Sequence, residues 1–271
     1  LATYDHMGWP VTPNALHIAG APTYWTASKV YDVDGEAQES GGTSTVIALP
    51  IDLGYAINDR ILVDLTLQVL MPKFTPDEGD AVDATGLGDL WVKGRYIAPV
   101  GNGYLGGRLG VKIPVGKVDY TDEDLELGDD QIDVDVAAVG GMYPDAGFAL
   151  NGQIGFRYRM ARTIDMPEPA EDVDYTPGMA IYTLLEPGYS MGTEKAFQIY
   201  LPILYEMTME DKADDESVED SSTSGLALGL APKYTIDANN TVGLKFLYPL
   251  MGKNVPQAMN IGVTYEGYIP F

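Results

Sequence analysis

Along most of this chain, hydrophobic residues recur at every second position. In residues 45–55, Ile47, Leu49, Ile51, Leu53 and Tyr55 share one parity, and Ala48, Pro50, Asp52 and Gly54 the other. The next run places Ile61, Val63, Leu65, Leu67, Val69 and Met71 opposite Asp64, Thr66 and Gln68. The last dozen residues repeat the pattern. Ile261, Val263, Tyr265, Gly267, Ile269 and Phe271 alternate with Asn260, Gly262, Thr264, Glu266, Tyr268 and Pro270. A period of two sends alternate side chains to opposite faces and predicts strands. By the same reading, strands are expected at 86–100, 104–117, 131–143, 148–160, 175–189, 196–207, 224–236 and 241–252. Another lies somewhere within 14–31, and residues 1–13 form an irregular N-terminal arm.

Short polar turns separate the strands in pairs. They centre near residues 58, 102, 146, 192 and 238, a spacing of 44 to 46 residues. Gly101-Asn102-Gly103 between two alternating runs is a hairpin signal. Five short turns and six longer connections make twelve strands. The expected fold is all-β: a 12-stranded antiparallel up-and-down transmembrane β-barrel over residues 14–271. An even strand number puts both chain ends on the side of the short turns. A soluble sandwich need not separate long from short connections in this way. A β-propeller shares the period, but no blade signature is present. No apolar run approaches the roughly 18 residues that a membrane helix needs, whereas a barrel hides its lipid-facing surface in alternation.

Charge sharpens the picture. The chain carries a net charge of −24, with 40 acidic and 16 basic residues, which argues against nucleic acid as a partner. The segments 34–42, 73–85, 118–130, 162–174 and 210–221 hold 26 of those acids and three basic residues. On the polar parity of the strands, Asp52, Asp64, Asp89, Asp133, Asp135, Glu186, Glu206 and Glu266 face Lys93, Arg95, Arg108, Lys112, Arg157, Arg159, Lys233 and Lys245, eight against eight. This describes a nearly neutral barrel with an acidic crown. Charges in a narrow lumen lose hydration and need partners. The cluster Lys93, Arg95, Arg108, Lys112, Asp133, Asp135, Arg157 and Arg159 therefore has two readings. One is an internal ion-pair ladder that fills the lumen, and the other is a constriction that selects what passes. The crown is a solvated surface or a site for divalent cations. In the second reading Asp122, Glu123, Asp124 and Glu126 supply hard oxygen ligands, without the spacing of an EF-hand. No other cofactor is implied.

With no cysteine, disulfides and thiolate chemistry are excluded. The two histidines, His6 and His17, lack a neighbouring Ser or Asp pattern that would suggest a triad, so no catalytic activity is expected.

The terminal Phe271 on an alternating strand resembles the C-terminal signature of bacterial outer-membrane barrels, which their assembly machinery reads. That implies an outer-membrane location, with lipid and lipopolysaccharide as surroundings. No basic region or apolar core precedes Leu1-Ala2-Thr3, so the chain is expected to be a mature form after removal of a signal peptide.

The run 86–99, GLGDLWVKGRYIAP, resembles the outer-membrane transporter family associated with the meta-pathway of phenol degradation. The shared features are Gly86, Gly88, Asp89, Leu90 and Arg95-Tyr96. The strand GVKIPVGK (110–117) and the turn Asn58-Asp59-Arg60 also fit. The resemblance spans 45–271 and leaves out the arm and the acidic loops. It implies a barrel that passes small molecules, apolar and aromatic compounds among them. The expected function is therefore a channel or transporter for a small-molecule solute. The alternative is a plugged structural barrel with an acidic extracellular crown.

Overall fold

The computed structural model describes residues 13–117, 125–144, 147–164, 173–191 and 196–271. Twelve long strands form one closed antiparallel barrel. In chain order they are β1 (Ala15–Gly20 and Thr23–Tyr31), β2 (Ala37–Ala56), β3 (Ile61–Pro76), β4 (Leu90–Val100), β5 (Gly103–Ile113) and β6 (Asp133–Met142). They continue as β7 (Phe148–Arg159), β8 (Ala180–Met191), β9 (Phe197–Tyr200 and Ile203–Thr208), β10 (Thr223–Asp237), β11 (Asn240–Lys253) and β12 (Met259–Pro270). Each pairs with its sequence neighbours. The barrel closes where β1 meets β12, from Ala15 opposite Pro270 to Thr26 opposite Met259.

Two strands are interrupted at proline, which has no N–H for the ladder. In β1 the break falls at Ala21-Pro22, and the Pro22 carbonyl still accepts the Val263 N–H at 3.0 Å. In β9 it falls at Leu201-Pro202, where Leu201 N–H donates to Pro187 and the Pro202 carbonyl accepts from Gly229. At the β4–β5 hairpin, Val100 pairs with Gly103 across two residues, and Gly101 takes a φ of +55°. Glycine enters that region at no steric cost.

The alternation sorts the side chains as expected. Leu65, Leu109, Ile154, Phe156, Leu201, Leu228, Leu244 and Val263 lie exposed on the outer wall. Leu67, Val111 and Ile199 are half-buried on that same wall. The buried apolar side chains make four small clusters rather than one core, such as Ile97, Tyr104, Ala137, Val139 and Tyr182.

The acidic segments differ from the sequence reading. β2 begins at Ala37 and β3 runs on to Pro76, so much of 34–42 and the start of 73–85 is strand rather than loop. Strands that project beyond a membrane meet water on both faces, so alternation no longer marks them. The run 86–100 is broken at Gly88-Asp89, and the strand at 104–117 ends at Ile113. The strand expected at 175–189 starts instead at Ala180. Residues Val173–Thr176 join Arg162–Ile164, Lys212–Ala213 and Glu216–Ser217 in a separate four-stranded sheet. There the Tyr175 hydroxyl donates to Asp211. Burial, reinforced by that carboxylate, pushes this hydroxyl up to about 12. The turns near 146 and 192 fall largely outside the described residues, as do residues 1–12 of the arm.

The outward register has a direct consequence. Leu109, 54% exposed on the outer wall, replaced by Arg should destabilise the folded barrel by about 2–4 kcal/mol if it sits near the bilayer midplane. Urea folding titrations in lipid vesicles check this, and unchanged stability would contradict the register.

Candidate functional site: the charged lumen

All eight charged residues singled out from the sequence sit on the inward parity of β4 to β7. The register stacks them in rows. Lys112 of β5 is opposite Asp133 of β6, which is opposite Arg159 of β7. One row deeper, Asp135 is opposite Arg157. Deeper again, Arg95 of β4 is opposite Arg108 of β5.

Asp135, 1% exposed, is the hub. Its Oδ1 accepts from Arg108 Nη2 at 2.9 Å and from the Tyr182 hydroxyl at 2.7 Å. Its Oδ2 lies 3.5 Å from Arg157 Nε. The Tyr182 hydroxyl in turn accepts from Arg108 Nη2 at 2.6 Å. The Arg157 guanidinium lies over Trp91, 5.3 Å from the ring centroid, and near Tyr182 at 5.8 Å. Carboxylate, hydroxyl and ring faces together compensate two arginines that have lost most of their water.

Toward the end that carries the long connections, Lys112 lies 3.0 Å from Asp133 and 3.9 Å from Asp89, and it also contacts Asp129. Asp129 and Leu127 belong to the β5–β6 connection, which the sequence placed wholly in the solvated crown. Instead Leu127 is 7% exposed and sits against Gly86 and Gly88, and its N–H donates to Lys117. This part of the connection folds into the mouth because Leu127 and the Lys112 ammonium offer it partners there. Asp89 is not simply a wall residue. At the strand break its carboxylate accepts the N–H groups of Val115 and Gly116.

On the opposite wall, His17 of β1 is 6% exposed. Its Nδ1 is 2.5 Å from Asp64, its Nε2 is 3.5 Å from Glu266, and its ring lies 4.9 Å from Tyr268. Nearer the short turns, Tyr104 and Tyr143 both donate to Asn151. Glu186 is fully buried, and neither of its oxygens has a hydrogen-bond partner among the described residues. Sequence reading missed His17, Tyr182 and Trp91. Their partners lie 47 or more residues away, and only His17 carried any local cue.

Among the described residues, these charged groups border two cavities. One of about 210 Å³ is bordered by Asp89, Trp91, Lys112, Asp133, Arg157 and Arg159. The other, about 90 Å³, is bordered by His17, Asp64, Arg95, Arg108, Lys233 and Glu266. Asp135 links Arg157 on the first to Arg108 on the second. Among the described residues, no group of three or more His, Asp or Glu side chains is placed to hold a metal ion. Of the proposed cation ligands, Asp122, Glu123 and Asp124 lie outside the described residues, and Glu126 is exposed.

No family model matches the chain, and no curated protein sequence matches it. Solved structures do. An outer membrane channel from Pseudomonas putida F1 superposes with a TM-score of 0.81 at 16% identity, covering 98% of this chain and 100% of that one. The translocator domain of autotransporter NalP from Neisseria meningitidis has a TM-score of 0.53 at 12% identity, covering 98% and 90%. The transport unit of autotransporter AIDA-I from Escherichia coli has 0.53 at 13%, covering 98% and 93%. At these identities the likeness is one of fold.

Gly155 of β7, opposite Tyr182, makes the hub possible. A Cβ there would come within 2.1 Å of the tyrosine ring. Gly155→Ala should displace the ring, leave Asp135 and Arg108 short of a partner, and cost about 1–3 kcal/mol. Tyr182→Phe removes the same hydroxyl, so the two losses should not add in a double-mutant cycle. Additive losses in vesicle unfolding would show that Gly155 acts on something else.

Proposed function

We propose that the protein is a channel of the bacterial outer membrane that passes small solutes. One observation carries this reading. A wall that is apolar outside encloses an interior of ionised side chains with cavities among them, not an apolar filling. Lipid covers such a wall, and water suits such an interior. The fold likeness to an outer membrane channel supports the reading, as does the alternation that closes β1 on β12.

The cavity linings favour small polar or charged solutes. Ionisable residues outnumber the others on both borders, and Leu70, Trp91 and Leu127 are the larger apolar side chains on the outer one. An apolar or aromatic solute therefore finds less here than the family resemblance implies. The charge rows act as the selective element, with Arg157 and Arg159 on the wider cavity and Arg108 on the narrower.

A second reading is a plugged barrel with a structural role. It is favoured by the ion pairs that fill the space between the cavities and by the Leu127 connection folded into the mouth. Conductance in planar bilayers separates the two: discrete channel openings support the first, and a silent bilayer containing folded barrel supports the second.

If the barrel conducts, the acidic end should concentrate cations at the mouth over about 8–10 Å, an effect that salt screens. The basic rows oppose cations farther in. Cation preference should then grow as salt falls, and Arg157→Gln with Arg159→Gln should move reversal potentials further toward cations. Identical reversal potentials in parent and double variant at every salt concentration would remove these arginines from the selective role.

A further inference from the structure

We infer that the inner lumen cavity binds a small carboxylate, with Arg95 as its anchor. Arg95 is 9% exposed and borders the cavity of about 90 Å³. Among the described residues its charge acts on the Tyr104 and Tyr268 hydroxyls, and no carboxylate is seen paired with it. Its cross-strand neighbours are Leu62 and Arg108, so neither offers a carboxylate, and one repeats its charge. Like charges directly opposite on paired strands are destabilising. Arg108 is relieved by Asp135 and Tyr182. Arg95 has no such relief.

The carboxylates that border this cavity are turned to other partners. Asp64 is 2.5 Å from His17, and Glu266 accepts from the Tyr268 hydroxyl at 3.1 Å. Asp52 accepts from the Thr66 hydroxyl. What the cavity offers an incoming molecule is therefore a guanidinium, with Lys233 also on its border. A planar fork of donors matches a carboxylate in two parallel hydrogen bonds. Ala19 and Ala21 supply an apolar side to the same space. A cavity near 90 Å³ has room for several waters and so admits a carboxylate of two or three carbons. A monocarboxylate of that size places its charge on Arg95 and its alkyl end against the alanines.

The inference deepens the channel reading by naming a solute class, but binding is measured without transport. Sodium propionate is titrated calorimetrically into the barrel in detergent micelles, with sodium phosphate in a parallel titration. Folding is checked by heat-modifiable gel migration. Saturable propionate binding is expected in the parent, weaker by about tenfold in Arg95→Gln and unchanged in Arg60→Gln, which removes an exposed turn charge. Arg95→Lys keeps the charge without the fork and should also weaken binding, which decides the matter if Arg95→Gln does not fold. Absence of saturable binding in the parent would overturn the site. So would equal propionate affinity in the parent and a folded Arg95 variant, or phosphate binding as tightly as propionate. A silent bilayer with intact propionate binding would count against the channel alone.

Discussion

The Asp135 carboxylate compensates two arginines from different strands while almost wholly removed from water, and the arrangement of the lumen follows from that. Removing one partner of a buried charge pair typically costs about 3–5 kcal/mol, because the other is left uncompensated. The same constraint recurs along the wall. Lys112 is matched by Asp133 and Asp129, and His17 stands between Asp64 and Glu266. Around Asp135, Lys112 and His17 opposite charges meet, so the interior holds many charges with little net charge. The wall can then be thin, with apolar side chains on one side and ionised groups on the other. The excess negative charge is carried by the connections and strand extensions at one end.

This local neutralisation shapes what can pass. Ion pairs across adjacent strands occupy the space between the two cavities, so a solute crossing the barrel would have to exchange contacts with charged groups that already have partners. Such an interior can be selective and narrow at once. It can also be closed, and the inward-folded Leu127 connection adds to the narrowing. Arg95 differs from the hub residues because no carboxylate among the described residues is paired with it, and an external one suits its place in the wall.

Most of the barrel was legible in the sequence because lipid on one face and water on the other enforce a period of two. Ile261, Val263 and Tyr265 could be assigned outward, and Thr264 and Glu266 inward, without any tertiary information. The inward assignment of Lys93 to Arg159 was legible for the same reason. What was hidden depends on contacts between strands distant in sequence. Nothing near His17 announces Asp64 or Glu266, because the barrel's closure brings β1 beside β12. Tyr182 reads as one more strand aromatic until Gly155 on the neighbouring strand makes room for it. Past the membrane edge the alternation stops carrying information. That is why 37–42 reads as an acidic loop yet forms strand, and why Leu127 reads as crown yet lies in the mouth.

The absence of cysteine from the chain makes a water-filled lumen behind a lipid-covered wall directly measurable. Single cysteines replace Thr241 and Thr264, which border the inner cavity, and Leu244 and Val263, which lie 57% and 54% exposed on the outer wall. Each variant is folded into lipid vesicles and treated with a small charged methanethiosulfonate reagent. A water-filled lumen gives modification at 241 and 264 and none at 244 and 263. Modification at the outer pair, or none at the inner pair in folded barrel, would contradict it.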